Sequence, residues 1–344
     1  MSISSPPAPD VAAICRDLLG RPARAVVRIG AGRNSRVFRV TLEGGESAEP
    51  PVVVKFYRRD AGDTRDRLAT EFGALRFLWQ NDVRVVPRPI ADDRDHHCAI
   101  YEYIDGEPPD SAGVTPEDVD AVVELLGGMQ TLRTRPGAAL FGPASEASFS
   151  LRAVAAHVDA RAGRLRASAG DAGLEDWLAG VFDPLRREIF QWYDAAATRA
   201  GQDVDAELEP ARRALSPSDF GFHNAIRRPG GALAFVDFEY FGWDDPAKTV
   251  VDFLLHPGMT LPDALKRRYA ERFVAACAFA PGLADRARVV YPMFGLKWCV
   301  ILLNDFLPDR ATTATAETRA AQLQKADALA ARLRREYRDN PYLG

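Results

Sequence analysis

The stretch Leu215–Pro246, LSPSDFGFHNAIRRPGGALAFVDFEYFGWDDP, constrains this chain more than any other. Two short runs, Ala225–Arg227 and Ala232–Val236, flank Arg228-Pro229-Gly230-Gly231, a turn sequence, so together they predict a hairpin. A hairpin folds back on itself. It brings the loop before its first strand close to the residue after its second. Asp219 and Asn224 precede the hairpin and Asp237 follows it, so these three side chains are expected to converge.

The residue types suit one chemistry. A hard divalent cation takes oxygen ligands, commonly one or two side chains together with phosphate oxygens and water. Asp237 and Asn224 can supply such oxygens. Asp219 is then left to orient an acceptor hydroxyl and take its proton. Taken singly, each residue reads as well as a turn cap or a strand end, because Asp and Asn are common in turns. The joint pattern is what points to metal-assisted phosphoryl transfer.

The same stretch resembles the catalytic core of the aminoglycoside phosphotransferase and choline kinase-like families. These have a catalytic loop of the form H-x-D-x-x-x-x-N and a metal loop beginning D-F or D-W. Ser218-Asp219-Phe220-Gly221-Phe222-His223-Asn224 matches the Asp-to-Asn part, and Val236-Asp237-Phe238-Glu239-Tyr240 matches the metal loop. The DFEY form is most similar to choline and ethanolamine kinases. Gly242-Trp243-Asp244-Asp245-Pro246 resembles the G-x-x-D-P of the antibiotic kinases. One departure stands out: Pro217 occupies the place of the loop histidine, a residue that mainly supports the loop. The resemblance covers most of Val26 to His256. It implies an α+β, two-lobed protein-kinase-like fold, with a small antiparallel-sheet N-lobe (residues 1–104) and a larger, mainly helical C-lobe (105–344).

The N-terminal part fits that expectation. A short helix is predicted over Asp10–Leu19, stopped by Gly20. Ala25–Ile29 and Arg36–Leu42 read as strands around Gly30-Ala31-Gly32-Arg33-Asn34-Ser35. Such a turn lets backbone N–H groups approach phosphates, though many plain hairpins look the same. The resemblance makes Gly30, Gly32, Asn34 and Ser35 candidates for covering the nucleotide. Val52–Tyr57 is an apolar strand holding Lys55, and a helix over Arg65–Gln80 carries Glu71. A lysine among valines needs a partner or a route to water. An outward-facing lysine is the commoner case; in kinase-like folds the strand lysine instead pairs with a helix glutamate and binds phosphates. Ala99–Gly106 reads as a last strand running into a hinge, where the resemblance implies adenine recognition by the backbone of Glu102, Tyr103 and Ile104.

Beyond Gly106 the pattern turns helical, with helices predicted over Pro116–Leu132, Ser150–Ser168, Leu174–Arg199, Pro262–Phe279, Ala287–Phe306 and Thr312–Tyr337. The fifth is apolar enough to suggest a membrane span, but Pro292, Gly295, Lys297, Asn304 and Asp305 interrupt it, so a buried helix is expected. A net charge of −4 argues against nucleic-acid binding. Cys15, Cys98, Cys277 and Cys299 are scattered, which suggests neither a zinc site nor a disulfide framework. The N-terminal residues show no signal-peptide pattern, and a cytoplasmic location is expected.

The expected activity is transfer of the γ-phosphate of ATP or GTP, with Mg²⁺, to a hydroxyl of a small acceptor: aminoglycoside-like, a sugar or an amino alcohol. His223, Glu239, Tyr240, Trp243, Trp298 and Asp305 are candidates for meeting it. Aromatic walls bind sugars by stacking or quaternary ammonium groups by cation–π attraction, though most such aromatics pack cores. A choline- or ethanolamine-type kinase is one alternative. A nucleotide-binding scaffold without catalysis, suggested by Pro217, is the other.

Overall fold

The computed structural model describes residues 10–31, 35–44, 50–59, 65–168, 170–308 and 314–343. Contacts divide these into two compact units. The first holds the described residues up to Pro108 together with Asn224–Phe241; the second holds Pro109–His223 and the described residues from Gly242 onward. The single expected boundary after Ile104 thus has a counterpart near Pro108, and the hairpin segment packs with the N-terminal unit.

In the first unit, helix α1 (Val11–Leu19) is capped by the Asp10 side chain and ended by Gly20 in the left-handed conformation. Strands β1 (Ala23–Ala31), β2 (Ser35–Leu42) and β3 (Val52–Tyr57) follow, then helix α2 (Arg67–Gln80) and strands β4 (Pro89–Asp93) and β5 (Cys98–Glu102). The five strands form one antiparallel sheet in the order β1-β2-β3-β5-β4. Strand alternation decides what β3 presents. Val52, Val54 and Phe56 join Val11, Ile14 and Cys15 of α1 in one core. Lys55 and Tyr57 point to the opposite face, toward Glu71 of α2. The hairpin forms as expected between β7 (Ala225–Arg227) and β8 (Leu233–Phe235), which follow β6 (Ala214–Ser216) of the second unit.

In the second unit, β6 pairs with β9 (Gly242–Asp244). The helices are α3 (Pro116–Thr131), α4 (Leu151–Ala167), α5 (Ala172–Trp177), α6 (Asp183–Arg199), α7 (Pro246–Leu255), α8 (Asp263–Ala276), α9 (Leu283–Leu302) and α10 (Ala316–Glu336). The single helix expected over Leu174–Arg199 is broken by a π-turn at Leu178–Phe182. Pro184 follows that turn and has no N–H to donate back to it. Helix α9 packs against α4, α6, α7 and α10. It is the membrane-like segment, long and apolar enough to cross a bilayer, and 72% of its most apolar window is buried within the protein. All four cysteines are free and buried.

The buried Lys297 of α9 pairs with Glu146 at 2.9 Å, and Arg161 of α4 meets the same carboxylate. Burial pushes the Glu146 pKa up, but Lys297 and then Arg161 outweigh it and hold it at about 2. A carboxyl held lower in the folded state than in the unfolded chain stabilises fully above the ordinary carboxylate range, and that contribution fades as pH falls toward about 2. We therefore expect Glu146→Gln to lower the unfolding free energy by about 2 kcal/mol near neutral pH, allowing for the partial exposure of the carboxylate. In urea titrations the gap between wild type and variant should narrow steadily below about pH 4. A gap constant with pH would refute this.

Candidate active site

The first unit holds a buried ion cluster. Lys55 is 7% exposed, and its ammonium lies 2.6 Å from Glu71 Oε2, 2.8 Å from Asp237 Oδ1 and 3.7 Å from Glu239 Oε2. Burial alone would lower the lysine pKa; the three carboxylates, Glu71 foremost, reverse that and raise it well above its usual value. The outward-facing lysine is thereby excluded. Glu71 is held at both oxygens: Tyr57 Oη donates to Oε2 at 2.9 Å, and the Phe238 N–H donates to Oε1 at 3.4 Å. Tyr57 also meets Tyr101 Oη at 2.7 Å. Burial raises the Glu71 pKa, against the pull of Lys55.

The hairpin places the metal-loop residues. Val236 N–H donates to the Asn224 carbonyl at 2.9 Å, so the residue before β7 and the residues after β8 are neighbours. Asp237 has φ +68, a left-handed conformation that costs a non-glycine residue about 1 kcal/mol or more. Its carboxylate is 41% exposed, whereas those of Glu71 and Glu239 are 5% and 3% exposed. Glu239, expected near the acceptor, lies instead by Lys55 and 3.6 Å from Arg67. Tyr240 has the guanidiniums of Arg65 and Arg67 over its ring at 5.4 and 5.9 Å.

Of the residues expected to face the nucleotide, Gly30 pairs with Val37 and Ser35 with Tyr57. Gly32 and Asn34 lie outside the described residues. Glu102 ends β5, with its N–H on the Arg88 carbonyl and its Oε2 accepting the Arg88 N–H. Tyr103 lies under the Arg39 guanidinium at 5.0 Å, and Ile104 is buried.

Asp219 lies in the second unit, at the end of a loop built from β6. The Gln130 side chain of α3 pairs with both the N–H and the carbonyl of Leu215, so it acts as an added strand beside β6. Asp219 N–H then closes a three-residue turn on the Pro217 carbonyl at 3.0 Å, with Ser218 between them at φ +68. Turns of this shape are rare and strained. Lys248 Nζ of α7, buried, donates to Ser218 Oγ at 2.9 Å and to Asp244 Oδ2 at 2.7 Å; Ser218 Oγ donates to the Ser145 carbonyl at 3.0 Å. The Asp219 carboxylate meets His223 Nε2 at 3.1 Å and His256 Nε2 at 3.4 Å. Burial opposes ionisation, but the hydrogen bonds from the two histidines prevail and hold the carboxyl far below the usual range. His256 was not legible in the sequence.

Residues 25–289 match the phosphotransferase enzyme family. The chain belongs to that family. No curated protein matches the sequence. Among solved structures, a spectinomycin phosphotransferase in complex with ADP and spectinomycin is similar at 10% identity and TM-score 0.61, covering 96% of this chain and 100% of that one. An ADP-bound aminoglycoside phosphotransferase is similar at 15% identity and TM-score 0.60, covering 94% and 99%. A choline kinase from Streptococcus pneumoniae is similar at 15% identity and TM-score 0.57, covering 94% and 98%. The expected α+β, protein-kinase-like fold is the fold these proteins share.

The remaining expected acceptor residues are dispersed. In this phosphotransferase, Trp243 donates Nε1 to the Ala138 carbonyl at 3.1 Å and, with Phe141, Phe149 and Arg213, lines a cavity of about 340 Å³. Asp305 lies past the end of α9 and accepts Arg319 Nε at its carbonyl. Trp298 packs edge-on to His256 at 4.6 Å.

Lys248 couples the loop to α7. Removing a buried cation leaves Asp244 unpaired, so Lys248→Met is expected to cost about 3–5 kcal/mol, read by urea unfolding. A loss below about 1 kcal/mol would show that the lysine does not hold this loop.

Proposed function

We propose that the protein is a small-molecule kinase that transfers the γ-phosphate of ATP or GTP to a hydroxyl of a small acceptor. The observation that carries this reading is Lys55 clasped between Glu71 and Asp237. Lys55, oriented by Glu71, would hold nucleotide phosphates. Asp219 would orient the acceptor hydroxyl and take its proton as the phosphoryl group moves. The lowered pKa of Asp219 favours its ionised form, which accepts the hydroxyl's hydrogen bond, and makes orientation the larger part of its role.

The donor set fits a hard cation. Among the described residues, Glu71, Asp237 and Glu239 bring carboxylate oxygens within 4.8 Å of one another, with Lys55 and Arg67 beside them. Asp237 is the exposed member. Asp237 with Asn224 would hold Mg²⁺, which neutralises phosphate charge when bound. The use of nucleotide and Mg²⁺ fits a cytoplasmic setting.

A choline- or ethanolamine-type kinase remains the alternative within the same reaction class. The inert-scaffold alternative rests on Pro217, and the support of Ser218 by Lys248 and Ser145 answers it.

Two variants test the assignment. Asp219→Asn should retain Mg–ATP binding and lower turnover by roughly 10²–10⁴-fold, whether a screened acceptor or water takes the phosphate. Near-normal turnover in a folded variant would refute the role of the base. Asp237→Ala should weaken Mg²⁺-dependent nucleotide binding in calorimetry, and unchanged affinity would remove it as a ligand.

A further inference from the structure

We infer that His256, stacked on His223, is a positioning residue that clamps Asp219 as a fixed carboxylate, donating to it from Nε2 while Nδ1 accepts from the backbone. This rests on Asp219 being the base. His256 ends α7, where the chain turns sharply: Met259 N–H donates to the His256 carbonyl at 3.1 Å, and Gly258 N–H donates to His256 Nδ1 at 3.1 Å. A nitrogen that accepts a hydrogen bond bears no proton, so the neutral ring carries its proton at Nε2. Nε2 lies 3.4 Å from Asp219 Oδ1, and the carboxylate oxygen accepts.

The ring is held on its faces as well as its edge. His223 stacks on it with centroids 4.1 Å apart and planes 4° from parallel. Trp298 of α9 packs edge-on at 4.6 Å and is fixed by its own bond from Nε1 to Asp252 Oδ1 at 2.9 Å. Gly258 approaches so closely that a Cβ there would lie 3.0 Å from His256 Cε1 and 3.1 Å from Nδ1. A side chain at 258 would have to displace the ring by a few tenths of an ångström.

Ligand atoms of Asp219, His223 and His256 lie within 4.8 Å of one another. Both histidines meet the same carboxylate oxygen, Oδ1, through Nε2. With Pro217 in the place of the loop histidine, part of the side-chain support for Asp219 comes from beyond α7.

The test has two arms. In Mg–ATP turnover with water as acceptor, His256→Ala should lower kcat about 10–100-fold with KM for Mg–ATP unchanged, the size expected when a reacting group is misplaced by about an ångström. His256→Gln, whose amide N–H reaches about as far as Nε2, should recover most of it. Equal losses in both variants, or a raised KM with kcat retained, would overturn the clamp. The second arm needs no turnover. Long-range ¹H–¹⁵N spectra of the wild-type histidines should show His256 as the Nε2–H tautomer, with that resonance moving in Asp219→Ala. An Nδ1–H tautomer, or a resonance indifferent to Asp219→Ala, would overturn it. A wild type that turns over no ATP would count against the kinase reading, while the spectra would still decide the clamp.

Discussion

Lys55 is the point on which the first unit depends. An ammonium group removed from water costs several kcal/mol unless oxygen atoms replace its hydration. Here Glu71 comes from α2, Asp237 and Glu239 come from the segment after β8, and the lysine comes from the middle of the sheet. One buried cation therefore fixes the relation of three chain segments distant in sequence. Lys55 and Arg67 lie beside the three carboxylates, and Asp237 is the one that reaches solvent. A cation bound there would meet a carboxylate still open to water.

The second unit solves a different problem, which is to hold a carboxylate at the end of a strained turn. Ser218 and Asp237 share the same left-handed φ of +68, and each adjoins or forms part of a proposed catalytic group. Strain of about 1–3 kcal/mol at such a residue persists only where its surroundings over-determine it. Around Ser218 they do. Ser218 N–H donates to Ser216 Oγ, its hydroxyl to the Ser145 carbonyl, and Lys248 donates to that hydroxyl. Pro217 adds a fixed φ to the same turn.

Much of this was legible in the sequence, and the reasons differ by residue. The hairpin followed from Arg228-Pro229-Gly230-Gly231 between apolar runs, and its strands formed within a residue of the expected ends. Lys55 with Glu71 followed from a strand-then-helix order and a family likeness. Tyr57 had a visible signal, since it lies two residues from Lys55 and so shares its face, but its bond to Glu71 needed the position of α2. Lys248 and His256 carried no local signal. A lysine on a helix reads as solvated, and a histidine before a proline reads as a loop residue; only the placement of α7 makes them neighbours of Ser218 and Asp219. Glu239 and Tyr240, expected near the acceptor, lie by Lys55 and the guanidiniums of Arg65 and Arg67; β8 ends at Phe235, so strand alternation could not tell which way they point.

That placement bears on whether the protein is an enzyme or a scaffold. A nucleotide-binding scaffold needs Lys55 and its carboxylates, which would explain the first unit. It does not need Asp219 held ionised by two stacked histidines, nor a buried lysine set against a strained serine. Burying Lys248 and Asp244 is at best neutral for stability compared with apolar residues of similar size. The arrangement has a physical purpose if Asp219 must meet a hydroxyl in one orientation with its charge intact. Phosphoryl transfer asks the protein for positioning and charge stabilisation above all. On the proposed reading, the loop around Asp219 supplies the positioning.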